Sequence, residues 1–214
     1  MSGRTLPPDC EARIERLLAS GRRQLLGLVG PPGAGKSTLA QAILDRWPGV
    51  AQVVPMDGFH LANVELARLG RAQRKGAPDT FDSAGFVALL QRLKMQRDDE
   101  IVYAPEFRRE IEEPIAGAIA VAPSTRLVIT EGNYLLLDRD AWRTVPTLLD
   151  ETWYVEVDEA QRLQWLVARH ERFGRSHAEA LAWVAQTDEP NARLIEASRS
   201  RATVAIRWGD TPLG

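Results

Sequence analysis

Apolar and polar residues along this chain follow two periods in alternation. Residues 11–20 set Ile14, Leu17 and Leu18 at helical spacing, with Gly21 as a stop. Residues 24–29 are a short apolar run ending in Gly30-Pro31-Pro32-Gly33, which suits a buried parallel strand. Leu39, Ala40, Ile43 and Leu44 predict a helix over residues 37–47, stopped by Pro48-Gly49. A second strand is expected at 51–56, leading into a polar turn at Asp57-Gly58. Residues 68–82, rich in Gly and Arg with little periodicity, read as an exposed loop. Ser83 is the expected cap of a helix that buries Phe86, Leu89, Leu90 and Leu93. Short strands are expected at 101–104 and 118–121, around a charged loop. Residues 127–130 form the next buried strand, ending at Glu131-Gly132. A helix at 142–149, a strand at 152–157 and a helix at 159–173 follow. Further helix runs from His177, interrupted and restarted at Asp188-Glu189-Pro190, and residues 203–206 close the chain as a strand. Strands alternating with helices predict an α/β fold with a mainly parallel sheet. There is no internal repeat, linker or low-complexity tract to divide it.

Composition narrows the classes. At 214 residues, 44% apolar and 26% charged, the chain is an ordinary globular sequence, long enough for one domain over residues 1–214 with a substantial core. A formal charge of −2 argues against a dedicated binder of nucleic acid or of an anionic membrane. No apolar run approaches the roughly 20 residues of a membrane span. The polar start does not read as a signal peptide. Cys10 is the only cysteine, so no intramolecular disulfide and no cysteine cluster for zinc can form. Three scattered histidines give no metal cluster either. The expectation is a cytoplasmic protein, with a homodimer left open. Of the 27 basic residues only Lys36, Lys75 and Lys94 are lysines, which singles each of them out.

Gly30-Pro31-Pro32-Gly33-Ala34-Gly35-Lys36-Ser37 satisfies G-x-x-x-x-G-K-[ST], between a strand and a helix as the motif requires. Its glycines let the chain wrap phosphate oxygens, its backbone N–H groups converge as an anion nest, and the following helix adds its positive end. Gly30, Gly33, Ala34, Gly35, Lys36, Ser37 and Thr38 are therefore the expected binding residues for ATP. Lys36 would reach the β- and γ-phosphates, while Ser37 would meet Mg²⁺. Glu131, after a buried apolar run, is the expected second residue at the Mg²⁺ site. Gly30, Asp57, Glu131 and Asp158 should all lie beyond the carboxyl ends of strands, where open α/β sheets bind ligands.

Several kinds of nucleotide-binding protein are excluded. No N-K-x-D segment is present to read guanine, and no L-S-G-G-Q-like segment marks a transport ATPase. Phosphoryl transfer to a small molecule needs a carboxylate near the acceptor hydroxyl. Asp57, directly after the second strand and before Gly58, is the expected general base. His60 is a candidate hydrogen-bond partner of the acceptor.

These motifs occur in a fixed order: the phosphate loop, Met56-Asp57-Gly58-Phe59-His60, Arg74-Lys75-Gly76-Ala77-Pro78-Asp79-Thr80-Phe81-Asp82, and Ile129-Thr130-Glu131-Gly132-Asn133-Tyr134. Together they resemble the group of uridine kinases, bacterial-type pantothenate kinases and phosphoribulokinases. The branch most alike is that of small bacterial nucleoside or sugar kinase-like proteins often labelled fructose transport system kinases. The resemblance spans nearly the whole chain and implies a three-layer P-loop fold, with a five-stranded, mainly parallel core sheet and a helical, arginine-bearing lid over about 162–187. It also implies an acceptor-base role for Asp57 and points to Lys75 as a residue that steadies acceptor or phosphate. Phe107 fits the aromatic position of the acceptor wall. Arg108 and Arg109 stand where relatives often carry a histidine, so an acceptor with a carboxylate or phosphate, or simple pairing with neighbouring glutamates, are both open. Among the lid arginines, Arg162, Arg169 and Arg172 share a helical face; Arg169 is the first choice for the transferring phosphoryl, followed by Arg172 and Arg175. Gly174 reads as a hinge or a helix stop, and Asn191 as a nucleotide contact or a helix restart. The expected activity is transfer of the γ-phosphoryl of Mg-ATP to a hydroxyl of a sugar, a nucleoside or a pantothenate-like metabolite. An ATP-binding accessory of a transport system and a nucleoside monophosphate kinase are the rival readings.

Overall fold

The structure is a computed structural model describing residues 5–208; residues 1–4, part of the polar start, and 209–214 lie outside it. In chain order come α1 (Pro8–Ala19), β1 (Gln24–Val29), α2 (Lys36–Arg46), β2 (Ala51–Val53), a 3₁₀ turn at Met56–Phe59, α3 (Asn63–Arg68) and α4 (Ser83–Lys94). β3 (Val102–Arg108) and β4 (Glu113–Val121) follow, then β5 (Leu127–Gly132), α5 (Val145–Leu148) and β6 (Glu151–Glu156). The chain continues through α6 (Glu159–Arg172), α7 (His177–Trp183), α8 (Glu189–Glu196) and β7 (Val204–Arg207).

Five strands form one parallel sheet in the order β2-β5-β1-β6-β7. β1 is central and every residue of Gln24–Val29 is buried, which is why the stretch after Gln24 is apolar rather than alternating. One face packs on α1 and α2 through Cys10, Ile14, Leu39, Ile43 and Trp208. The other packs on α4, α5 and the segment after β5 through Phe86, Leu90, Leu135, Trp142 and Leu149. Sheet and two helical layers thus make the three-layer α/β sandwich that the P-loop resemblance implies. β1 and β5 pair from Gln24↔Leu127 to Val29↔Gly132, so Gly30 and Asn133 leave the sheet side by side. Among the described residues no helix is long and apolar enough to cross a membrane.

Several elements differ from their sequence expectation. The region 68–82 is not a free loop: it holds 3₁₀ turns at Ala72–Arg74 and Pro78–Thr80 and is tied into the molecule. Tyr134 donates its hydroxyl to the Gly76 carbonyl (2.6 Å), and the Trp142 indole donates to the Pro78 carbonyl (3.3 Å). Asp82, not Ser83, caps α4, accepting from the Gly85 N–H at 2.8 Å. The second strand ends at Val53, and Met56 begins the 3₁₀ turn instead. The charged stretch after 104 is mostly strand: β3 and β4 form an antiparallel hairpin with a bulge between Ala104 and Glu106. Asp188-Glu189-Pro190 does not break the helix. The chain passes from α7 to α8 through a wide π-type turn at Val184–Asp188, and Pro190 sits in the first turn of α8, where a missing N–H costs no bond. Gly174 stops α6 at φ +96°, its N–H donating to the Glu171 carbonyl (2.9 Å) and that of Arg175 to the His170 carbonyl (3.1 Å).

Candidate active site

The loop between β1 and α2 turns on two glycines with positive φ, Gly33 (+81°) and Gly35 (+83°). At Gly33 a Cβ would meet Leu166 Cγ at 2.8 Å and Arg162 Cγ at 3.2 Å, so α6 rests directly on the phosphate loop. Lys36 opens α2, and its side chain folds back into the loop. There its ammonium donates to the carbonyls of Gly30 (2.9 Å) and Pro31 (3.1 Å) and to Asn133 Oδ1 (2.9 Å). Burial lowers the Lys36 pKa to about 8, against the opposing pull of Glu131 and Asp57. Ser37 Oγ donates to Glu131 Oε1 at 2.9 Å, bringing together the hydroxyl and the carboxylate expected at Mg²⁺. Burial and the charge of Asp57 push the Glu131 carboxyl above the usual carboxylate range, opposed by Lys36, Ser37 and Arg109. Thr38 is half-buried and Ala34 is buried.

Asp57 lies in the 3₁₀ turn after β2, half-buried, and acts electrostatically on Lys36, Glu131, His60 and Arg169. Its carboxylate faces Arg109 at 3.5 Å. Gly58 has no positive φ; the need there is space, since a Cβ would overlap the Pro105 carbonyl at the hairpin bulge. His60 Nδ1 lies 2.8 Å from the Asp57 carbonyl, which can only accept, so Nδ1 carries the proton and Nε2 is left as an acceptor. Burial lowers the His60 pKa, keeping the ring neutral. The ring is held between Phe81 (4.0 Å between centroids) and Phe107 (4.5 Å). Two of the motifs quoted above therefore meet: residues 59–61 pair with 80–82 through Asp82 N–H to the Phe59 carbonyl (2.8 Å) and Leu61 N–H to the Thr80 carbonyl (2.9 Å).

The cationic residues divide sharply. Arg169 on α6 is half-buried, and burial together with Arg109 lowers its pKa while Asp188, Asp57 and Glu131 draw it. It belongs to the same charge cluster as Lys36. Arg162, expected on the same helical face, is instead buried and ion-paired with Glu189; Arg172 is exposed on the last turn of α6, and Arg175 stacks on Trp183 at 3.9 Å. Lys75 donates to Asn63 Oδ1 (2.7 Å) and to the Glu112 carbonyl, and lies 5.1 Å above the Phe107 ring. Arg108 pairs outward with Glu106 at 2.9 Å. Sequence reading gave no role to Asn133 or Asp188. Asn133 is the side-chain acceptor of Lys36, and Asp188 lies 2.8 Å from His170 Nε2. The signal for Asn133 was its place two residues after Glu131; nothing local marks Asp188.

A glycine loop between strand and helix, closed by lysine and serine at the carboxyl edge of a parallel sheet, defines a P-loop phosphate-binding protein. No protein-family model matches the chain. A Schizosaccharomyces pombe protein provisionally named uridine kinase C227.14 is 34% identical over 195 residues, covering 86% of this chain and 83% of that one. A pantothenate kinase of Sorangium cellulosum is 33% identical over 157 residues, 70% of this chain and 50% of that one. The crystal structure of a Silicibacter protein provisionally named a fructose transport system kinase superposes with a TM-score of 0.79. It is 41% identical and covers 92% of this chain and 98% of its own. The chain belongs to the P-loop kinase group that contains the uridine and pantothenate kinases, and it is a small-molecule kinase.

Proposed function

We propose that the protein transfers the γ-phosphoryl group of Mg-ATP to a hydroxyl of a small metabolite, with Asp57 as general base. The observation that carries this reading is the convergence of Asp57, Glu131, Lys36 and Arg169 at one end of the sheet, each in the field of the others. The Lys36 ammonium exchanges its carbonyl partners for the β- and γ-phosphates, beside the N–H groups of the loop. Among the described residues no group of three or more His, Cys, Asp or Glu side chains could cage a metal ion. That fits Mg²⁺, which takes one or two protein oxygens and completes its shell with water and phosphate. Ser37 and Glu131, already joined at 2.9 Å, would supply those oxygens. When bound, the ion neutralises charge that develops on the phosphates.

Asp57 accepts the proton of the acceptor hydroxyl as that oxygen bonds to the γ-phosphorus and the bond to the β-bridging oxygen breaks, releasing ADP. Arg169 draws negative charge on the transferring group, and the segment over about 162–187 serves as the lid that brings it. His60 and Phe107 form the acceptor wall, and Lys75 fixes that wall instead of touching phosphate. ADP release measured against sugars, nucleosides, pantothenate and nucleoside monophosphates tests the reading. Acceptor-dependent ADP formation supports it, whereas ATP consumption indifferent to every acceptor would leave an ATP-binding accessory protein. Lys36→Ala should weaken nucleotide binding and turnover together.

A further inference from the structure

The β3–β4 hairpin is built as one wall of the cleft and is held at three places. Its bulge presses the Pro105 carbonyl on Gly58. Phe107 stacks on His60. Its tip is tied down by Glu113, which accepts from the Asn63 N–H at 3.0 and 3.1 Å, and by the Glu112 carbonyl, which accepts from Asn63 Nδ2 (3.2 Å) and from Lys75. Glu112 adopts φ +53° at this tip. On this fixed support Arg108 turns outward to Glu106, while Arg109 reaches inward to Asp57.

The Arg109–Asp57 pair cannot persist through the reaction proposed above. A guanidinium 3.5 Å from Asp57 Oδ2 stands where the acceptor hydroxyl must approach the base. The other two cations of the cluster have duties in that reaction, Lys36 to the phosphate tail and Arg169 to the transferring group. Among the described residues Arg109 forms an ion pair with Asp57 alone, although Glu131 also feels its charge. We propose that Arg109 is the specificity-determining residue of the acceptor site and that the acceptor is a hydroxy acid, whose carboxylate takes Arg109 from Asp57 as its hydroxyl meets the base. A single guanidinium matches a singly charged carboxylate through two parallel N–H···O bonds. A phosphate-bearing acceptor, doubly charged, would call for further free cations; Arg108 is spent on Glu106 and Lys75 on Glu112 and Asn63. Binding of the acid thereby frees the base, which ties acceptor recognition to catalytic competence.

The inference rests on the kinase reading and is tested with matched acceptors: pantothenate against pantothenol, glycerate against glycerol, with glycerol 3-phosphate and uridine as further arms. The wild-type enzyme should favour the acid of a pair by about 10- to 100-fold in kcat/KM. Arg109→Gln should collapse that ratio toward one, chiefly through KM for the acceptor, and Arg109→Lys should restore part of it. Circular dichroism and the KM for ATP of each variant show whether it is folded and whether Arg109 serves the nucleotide instead. Equal or better use of the neutral partner, of uridine or of glycerol 3-phosphate overturns the hydroxy-acid assignment while leaving the kinase reading intact. A rise in KM for ATP with an unchanged acid preference overturns it as well. Absence of ADP formation with every alcohol overturns both.

Discussion

The ammonium of Lys36 and the amide oxygen of Asn133 are joined across 2.9 Å, tying the end of the phosphate loop to the end of the neighbouring strand. Two backbone carbonyls share the same ammonium, so three acceptors satisfy the lysine. Asn133→Ala removes the only side chain among them. The buried charge loses a hydrogen bond, and the Lys36 pKa should fall by about one further unit. Nucleotide affinity measured against pH should then begin its alkaline decline about one unit earlier than in the wild type; an unmoved midpoint would mean that Asn133 does not support the charge.

The wild-type pH dependence follows from the same lysine. Burial holds its pKa at about 8 in the empty protein, and the phosphates of a bound nucleotide raise it. Below pH 8 the lysine is protonated with or without nucleotide, and affinity is flat as far as Lys36 is concerned. Above pH 8 binding must take up a proton, so affinity should fall toward tenfold per pH unit. Calorimetric titrations in buffers of different ionisation enthalpy should show this uptake above pH 8 and not at pH 7. The empty protein itself should gain stability from Lys36 as pH rises from about 8 toward the ordinary lysine value of 10.5, since between the two the unfolded chain holds the proton and the folded one does not.

Gly58→Ala probes the seat of the hairpin. The added methyl meets the Pro105 backbone rather than a flexible side chain, so the hairpin must shift. Denaturant unfolding should show a loss of about 1–3 kcal/mol, and the acceptor KM should rise more than the KM for ATP. Wild-type stability with unchanged acceptor KM would contradict the close approach.

His170 lies next to Arg169 on α6 and is joined to Asp188 of the π-type turn at 2.8 Å. One residue further along, Glu189 at the start of α8 takes Arg162, so two pairs hold α6 against the turn and the helix that follows it. Without the histidine, Asp188 is released to draw Arg169 away from the cleft. His170→Ala should lower kcat by about 10- to 100-fold, as for a misplaced catalytic group, with a smaller change in KM for ATP. His170→Asn, which can still donate to Asp188, should recover part of the loss. A fall confined to thermal stability would assign the pair to packing alone.

The strands, the phosphate loop and the order of the parallel elements were legible because each rests on local signals: apolar runs, glycines at fixed offsets, helical spacing. Lys36, Ser37 and Glu131 fall together because β1 and β5 are neighbours in register, a consequence of topology that the loop motif already implies. What stayed hidden depends on contacts distant in sequence. Residues 68–82 carry no periodicity, yet Tyr134 and Trp142 pin them from more than fifty positions away. In the charged hairpin only Val102, Ala104 and Val121 are buried, and its pattern is interrupted by Pro105, Arg108 and Arg109. Lys75 stands out in the sequence by the scarcity of lysines and by the motif that surrounds it; its partners Asn63 and Glu112 become visible only when the hairpin folds back. The arginines of α6 share a spacing, and burial alone separates Arg162 from Arg169 and Arg172.

Turnover of Asp57→Asn tests the central claim most directly. The amide keeps the shape of the side chain and cannot take a proton from the acceptor. With an acceptor that supports wild-type ADP formation, acceptor-dependent turnover should drop by roughly 10²–10⁴-fold while calorimetry still finds ATP bound. Turnover close to that of the wild type would contradict the account, leaving a nucleotide site whose neighbouring carboxylate has no part in the chemistry.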